Sequence, residues 1–384
     1  SGGLVGSEMC IRDRSSGVVT SIHFGARRII EKIEISVEDK KPESYKSFSS
    51  SELNAADREA VMKNILDACI FPLIRQRPFN KVANPNDVPR DIFVSAYNTA
   101  PLSVNVSKVI QNNKDQFQAG LTALSKLTGG SVYLSSQKPM EFDNVTNVTI
   151  EGPHPAGNVG IQIHHIKPIN PGEVIWTVNA QHVITIGKLF QNGQYDPGCI
   201  VSIGGSGSSN PQTVRALTGS SIGSLLKDQL LNGSQRIISG DVLTGKRVSS
   251  DDYLGFYDSS VAIINDDVKR PFLGMLAVGS SSTKYSLTNT FLSTGTKEFD
   301  FTTSQNGELR AIVPLNAWEK MLPMDILPNP LYRAILAQDI EEMEQLGIWE
   351  CDDEDFALCS FACPSKIDVG SVIRDGLDLL ESDS

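Results

Sequence analysis

Apolar and polar residues alternate at the start of the chain. Between residues 16 and 37 the apolar positions include Val18, Phe24, Ile29, Ile30, Ile33 and Ile35, with a glycine at 25. Period-two spacing on both sides of a turn predicts two short strands. Residues 38–55 are rich in Ser, Lys and Glu and read as a linker. Asn54 then reads as the cap of a helix whose positions Val61, Ile65, Leu66 and Cys69 keep helical spacing until Pro72. Residues 91–96 (DIFVSA) form a buried-type strand, and Phe117, Leu121, Leu124 and Leu127 mark a second helix ended by Gly129-Gly130. Strands follow at Val132-Tyr133-Leu134 and Val148-Thr149-Ile150, then helices over 161–166 and 180–190, with Gly193 as terminator. This alternation predicts an α/β sheet over about residues 55–190.

From Cys199 the pattern changes. The runs CIVSI, QTVRAL, RIISG, VAII and LRAIVP, separated by Gly/Ser turns, predict strands through residue 314, with one helix over 222–231. That is an α+β, grasp-like unit followed by further antiparallel strand. From Trp318 the pattern is helical: Leu331, Ile335, Leu336 and Ile340 form one face, and residues 356–363 and 372–380 supply two more helices.

Composition narrows the function classes. The chain has 384 residues, 40% hydrophobic and 21% charged, enough for two or three domains. A net charge of −11 argues against nucleic acid and against anionic lipid as partners. No apolar run approaches the roughly 18 residues of a membrane helix. Of the six cysteines, at 10, 69, 199, 351, 359 and 363, only the last three cluster, which is no disulfide framework and points to a reducing compartment. Residues 1–14, SGGLVGSEMCIRDR, have no periodicity and no apolar signal core. They resemble translated sequencing-adapter read-through and are set aside as a non-native leader.

Four features could carry chemistry. Cys359-x3-Cys363-Pro364 matches the last part of the C-x2-C-x2-C-x3-C-P run that holds an iron–sulfur cluster. Counting back, the first two ligands should stand at 353 and 356, where the chain has Asp353 and Phe356. The motif is degenerate, and Cys359 and Cys363, one helical turn apart, read as small buried residues. A zinc site from Cys351, Cys359, Cys363 and an acidic residue is the alternative. The loop Gly152-Pro153-His154-Pro155-Ala156-Gly157, running on to Gly160, joins a strand to a helix, where open α/β sheets gather ligands. Its two prolines remove donors a phosphate would need, so it reads either as a ligand loop or as rigid packing. The Ser202–Gly207 stretch is followed by a strand instead of a helix and reads as a turn, not a dinucleotide loop.

Arg75-Gln76-Arg77-Pro78-Phe79-Asn80-Lys81 concentrates three cations and an aromatic ring in an acidic chain. Such a group could take an aromatic headgroup by stacking and cation–π contact, grip an acidic partner, or lie solvated as a loop. The histidines at 154, 164, 165 and 182 lack metal-like spacing, and the acidic run 341–355 reads as a solvated helix face.

Taken together, the strings SGVVTSIHFGARRIIEKIEI, RQRPFNKV, GPHPAGNVG, WTVNAQHVITIGKLF, RIISGDVLTG and DEDFALCSFACPSK resemble the A subunit of the bacterial sodium-translocating NADH:quinone reductase, from about Ser16 to the end. The resemblance implies an α/β and α+β multidomain fold, similar to the flavoprotein subunit of complex I and the C subunit of the Rnf complex. The division would be a barrel-sandwich remnant over 15–40, a Rossmann-like α/β domain over 41–194, an SLBB-like β-grasp domain with extra strands over 195–316, and a helical domain over 317–384. The family begins upstream of this chain's first matching residue, so the reading places the true start before Ser15.

Functionally, the resemblance implies a peripheral subunit on the cytoplasmic face of the bacterial inner membrane. It would sit in a translocase that couples NADH oxidation and ubiquinone reduction to Na+ export. It would bind no redox cofactor itself, with FMN, FAD, riboflavin and iron–sulfur held by partner subunits and the large membrane-embedded B subunit as chief neighbour. Arg75, Arg77, Pro78, Phe79 and Lys81 are carried over as quinone contacts. The rival reading is a stand-alone NADH-binding oxidoreductase related to the complex I flavoprotein subunit.

Overall fold

The alternating segment at the start is a hairpin, β1 (Gly17–Phe24) and β2 (Ile30–Val37), paired antiparallel as the spacing predicts. The computed structural model describes residues 17–25, 28–37, 43–227, 229–231, 233–266, 285, 299–313 and 315–383. The reading of residues 1–14 lies outside them.

The stretch read as a linker contains a helix, α1 (Ser50–Ala55). Ser49 accepts from Glu52 N and the Glu52 carboxylate accepts from Ser49 N at 2.8 Å, a capping box that gives this polar segment its turn. Asn54 is therefore inside α1, donating to Ser50 O, and does not cap the next helix. That role falls to Asp57, whose Oδ1 accepts from Ala60 N at 2.8 Å at the head of α2 (Arg58–Asp67). Asp57→Ala should cost about 1 kcal/mol in chemical denaturation, the worth of one cap. Pro72 does not stop α2. The helix ends at Asp67, Cys69 turns with φ 53°, and Pro72 sits in a one-turn 3-10 helix.

Two strands follow where sequence pattern offered a loop: β3 (Ile74–Arg77) and β4 (Lys81–Val82). Then come β5 (Ile92–Ser95), α3 (Val106–Gln111), α4 (Lys114–Ser125), β6 (Val132–Ser136), β7 (Thr146–Thr149), α5 (Val159–Ile166), β8 (Ile175–Asn179) and α6 (Ala180–Asn192). The six strands form one sheet in the order β4-β3-β8-β5-β6-β7. Strands β8, β5, β6 and β7 are parallel, and β3 runs antiparallel to β8. Helices α4 and α6 cover one face with Phe117, Leu121, Val183 and Ile186 in the main core. On the other face, Ile163 of α5 packs on Phe93 and Ile175. Gly193, at φ 64°, ends α6 as its position predicts. From β5 the chain walks outward to β6 and β7, then returns to β8 on the opposite side of β5. This switch opens a crevice at the carboxyl ends of β5 and β8.

The second sheet is built from β9 (Gly198–Gly204), β10 (Gln212–Leu217), the short α7 (Ile222–Leu225), β11 (Gln235–Ser239), β12 (Lys246–Val248) and β13 (Ser260–Asn265), in the order β10-β9-β13-β11-β12. Of the Ser202–Gly207 stretch, residues 202–204 end β9 and 205–207 form the strand-to-strand turn that was expected over the whole stretch. The helix expected over 222–231 stops at Leu225, because Leu230 bridges back to Ser208. The strand expected at 309–314 is absent among the described residues. Arg310 instead donates its backbone N–H to Ser365 O at 3.1 Å, laying the segment on the C-terminal unit.

That unit holds α8 (Pro328–Ala337), α9 (Ile340–Gln345), α10 (Ala357–Ala362) and α11 (Val369–Asp383) around Trp318, Met343, Phe356, Ile373 and Leu377. Leu331 and Ile335 are buried, but Leu336 is 61% exposed. Gln338 at φ 56° breaks the expected continuous face before Ile340 starts a new helix.

Candidate functional site

The switch-point crevice is a cleft of about 290 Å³. Ser95 and Asn179, the last residues of β5 and β8, stand at its floor, and Arg75 and Arg77 enter from β3. Arg75 is held in place: its Nε donates to Asn80 Oδ1 at 2.7 Å and its Nη2 to the Asn80 carbonyl. Its guanidinium lies 4.5 Å over the ring of Tyr257, from the second sheet unit, whose hydroxyl donates to Pro72 O at 3.0 Å. Among the described residues Arg75 makes no ion pair with a carboxylate. The result is a flat cationic and aromatic wall, open on the cleft side.

His182 completes that wall from the first turn of α6, edge-on to Tyr257 at 6.1 Å. Burial pushes its imidazole down to about 4 against an opposing hydrogen bond to the Leu73 backbone, and Arg75 adds to the lowering. It is therefore neutral at neutral pH. The far wall is the loop 152–157. His154 Nδ1 meets Thr99 Oγ1 at 3.1 Å, and burial lowers its pKa. Three backbone donors in and just after the loop are already used: Ala156 N–H bonds Pro153 O, Gly157 N–H bonds Thr99 Oγ1 and Asn158 N–H bonds Pro155 O, all at 2.8–2.9 Å. A phosphate would find no free cradle in these three donors.

Arg77 behaves differently from Arg75. It is 2% exposed and faces the C-terminal unit, with Nη2 2.7 Å from Glu354 Oε1 and 3.0 Å from Asp352 Oδ2, and Nη1 3.7 Å from Asp355 Oδ2. Arg374 of α11 pairs with Asp352 and Asp353 and donates to the Phe79 carbonyl at 2.8 Å, and Asn80 donates to Asp352. Burial pushes the Asp352 and Asp355 carboxyls up, with Arg77 opposing; burial also works against the charge on the Arg77 guanidinium, but the neighbouring carboxylates outweigh it and hold the group charged. This corrects two expectations. RQRPFNK is no solvated loop, and the acidic run is no solvated face at its end, since Asp352 and Asp355 are fully buried.

Of the carried-over contacts, Arg75 and Arg77 line the cleft. Pro78 is buried beside it, Phe79 packs against Trp349 at 5.8 Å, and Lys81 pairs with Glu381 of α11. From the loop, His154 and Gly157 line the cleft, whereas Gly152, Pro153, Pro155 and Ala156 shape the turn behind it. His182 and Tyr257 were missed. For His182 a signal existed, because Asn179 ends a strand and caps a helix. Tyr257 had none. Cys359 and Cys363 are buried. The Cys359 thiol, pushed up to about 12 by burial, donates to Trp318 O at 3.6 Å. Among the described residues no three His, Cys, Asp or Glu side chains are placed to hold a metal ion, and no helix is long and apolar enough to cross a membrane.

A family model described as the NqrA second alpha/beta domain matches residues 56–195, and one described as the NQRA C-terminal domain matches residues 200–250. These are the first and second sheet units, so an α/β domain and an SLBB domain precede the helical region. The A subunit of the Na(+)-translocating NADH-quinone reductase from Saccharophagus degradans is 39% identical over 377 residues, covering 96% of this chain and 84% of that protein. Those from a Marinomonas species and from Pasteurella multocida are 38% and 37% identical with the same coverage. A solved NAD+-reducing NiFe hydrogenase in its H2-reduced state matches loosely, with TM-score 0.40 and 13% identity over 57% of this chain and 51% of that one. The chain belongs to the family of the A subunit of the Na(+)-translocating NADH-quinone reductase, and the other subunits of that complex are its partners.

Proposed function

We propose that this subunit receives the ring of a quinone, ubiquinone in the first instance, in the cleft at the ends of β5 and β8. The observation that carries the reading is Arg75, stacked on Tyr257 and free of a carboxylate ion pair among the described residues. A quinone ring carries two carbonyl acceptors on a flat apolar body. A guanidinium can donate to one carbonyl while the ring lies along the aromatic wall. A neutral His182 adds a hydrogen-bonding group without adding charge. The two prolines of loop 152–157 and the engaged N–H groups of Ala156, Gly157 and Asn158 favour an uncharged ring over the pyrophosphate of NADH.

In this reading the subunit holds no redox cofactor. Electrons reach the quinone through FMN, FAD, riboflavin and iron–sulfur in partner subunits, and the complex couples their flow to Na+ export. The subunit sits peripherally on the cytoplasmic face, against the large membrane-embedded B subunit, and contributes to assembly.

Calorimetry with a short-chain ubiquinone tests the site. Arg75→Ala should weaken binding about ten- to a hundredfold, the worth of a hydrogen bond from a charged donor. Unchanged affinity would remove Arg75 from the site. Micromolar binding of NADH, or flavin that copurifies with the chain, would favour a stand-alone oxidoreductase.

A further inference from the structure

Asn80 stands where the cleft and the C-terminal unit meet. Arg75 pairs with Val82 and Gln76 with Lys81, so residues 77–80 form the tip of the β3–β4 hairpin. Phe79 and Asn80 sit at positive φ, 74° and 47°. Apart from glycine, asparagine suits this region well, because its short side chain bonds locally. At this tip the local partner is Arg75. Asn80 Oδ1 accepts from Arg75 Nε at 2.7 Å, and the Asn80 carbonyl accepts from Arg75 Nη2. The side-chain amide of Asn80 turns the other way and donates to Asp352.

An arginine presents five N–H groups in a planar fork. Here one residue grips the Nε–Nη2 edge of the fork, and the Tyr257 ring 4.5 Å away fixes its plane. Among the described residues Asn80 alone hydrogen-bonds this guanidinium, so Nη1 is left for a ligand. A long side chain held on edge and face has already lost the freedom that binding would otherwise remove. The grip is itself held from behind. Arg374 of α11 donates to the Phe79 carbonyl at 2.8 Å, Phe79 packs against Trp349 at 5.8 Å, and Asp352 is fully buried. None of Asp352, Arg374 and Trp349 lines the cleft, whereas Asn80 and Arg75 both do.

We infer, resting on the quinone reading of the cleft, that Asn80 is a positioning residue for the ring. It fixes the Arg75 guanidinium by its Nε–Nη2 edge, leaves Nη1 to donate to a ring carbonyl, and anchors that pose on the buried Asp352 of the C-terminal unit. Asn80 thus contributes to affinity through Arg75. A side chain with only an acceptor or only a donor could not serve both partners, and a bulky or β-branched one would resist the positive φ.

The test is a double-mutant cycle: titration of a short-chain ubiquinone on the intact chain as wild type, Asn80→Gly, Arg75→Lys and the double variant. Glycine keeps the positive φ and removes both side-chain bonds. Lysine keeps a cation but has no planar edge for Asn80 to grip. Asn80→Gly should weaken binding about three- to tenfold, the scale of one net hydrogen bond. The same change made in Arg75→Lys should weaken it by less than about twofold. A hairpin that was merely loosened would instead show the same penalty in both backgrounds. Unchanged affinity in Asn80→Gly, or an equal penalty in both backgrounds, would overturn the inference and leave the quinone site standing. Absence of binding to the wild type, or binding indifferent to Arg75→Ala, would overturn the site and the inference together.

Discussion

Arg77→Leu is expected to destabilise the chain by about 3–5 kcal/mol, seen as a lowered denaturation midpoint with the C-terminal helices unfolding first. Arg77 leaves β3 to meet carboxylates some 277 residues further along the chain. Two of them, Asp352 and Asp355, have no exposure to water. Removing the guanidinium strips these buried carboxyls of their cation, which costs far more than the pair contributes when intact. Arg374 answers Asp352 and Asp353 in part, but it does not pair with Asp355.

The deficit should also depend on pH, with a definite sign. Burial already raises both carboxyls above their ordinary 3.8, so the folded state holds protons that the unfolded chain has released. Stability carried by that protonation is present at low pH and is lost as pH rises through the raised values. Without Arg77 the carboxyls rise further. The gap between variant and wild type should therefore narrow on acidification from pH 8 toward pH 5, the window set by these raised groups. A gap of constant size would mean that the lost stability came from packing of the arginine stem.

Gly187→Ala should be nearly as damaging, costing about 1–3 kcal/mol or more. Helices α4 and α6 cross at Gly120 and Gly187. A Cβ added at Gly187 would fall within contact of the Gln116 carbonyl, and one at Gly120 would meet the Val183 carbonyl. Both obstacles are backbone, which cannot rotate aside as a side chain would. Relief requires the two helices to separate, and that opens the core around Phe117, Leu121 and Ile186. The same shift would move the N-terminus of α6 and with it His182. Loss of quinone affinity alongside lowered stability is the expected signature, read by calorimetry and thermal unfolding on one sample.

The parts of this fold that were legible in sequence are those specified by local period and caps. The hairpin β1–β2 alternates, α6 carries a helical stripe and a terminating Gly193, and β9 and β10 flank a glycine turn. What escaped is set by partners distant along the chain. Residues 74–77 contain two arginines and one glutamine, which reads as solvated. They form a buried strand only because β8 pairs with one edge and the 352–355 carboxylates neutralise Arg77. Neither half of that pairing is visible alone, so the acidic run was read as a solvated face for the same reason. At the site, the arginine cluster and the proline loop were both flagged, and the fold brings Arg75, Arg77, His154 and Gly157 to one cleft. Phe79 and Lys81, adjacent in sequence, are turned toward the helical unit by the positive φ of Phe79 and Asn80. No spacing rule predicts that division.

The most direct test of the quinone site is a photoreactive quinone analogue on the intact complex, followed by mapping of the labelled peptides. Label is expected within residues 74–77 of β3 or at Tyr257, competed away by unlabelled ubiquinone and lost in Arg75→Ala. Label confined to the partner subunits, or to parts of this chain away from the cleft, would contradict it.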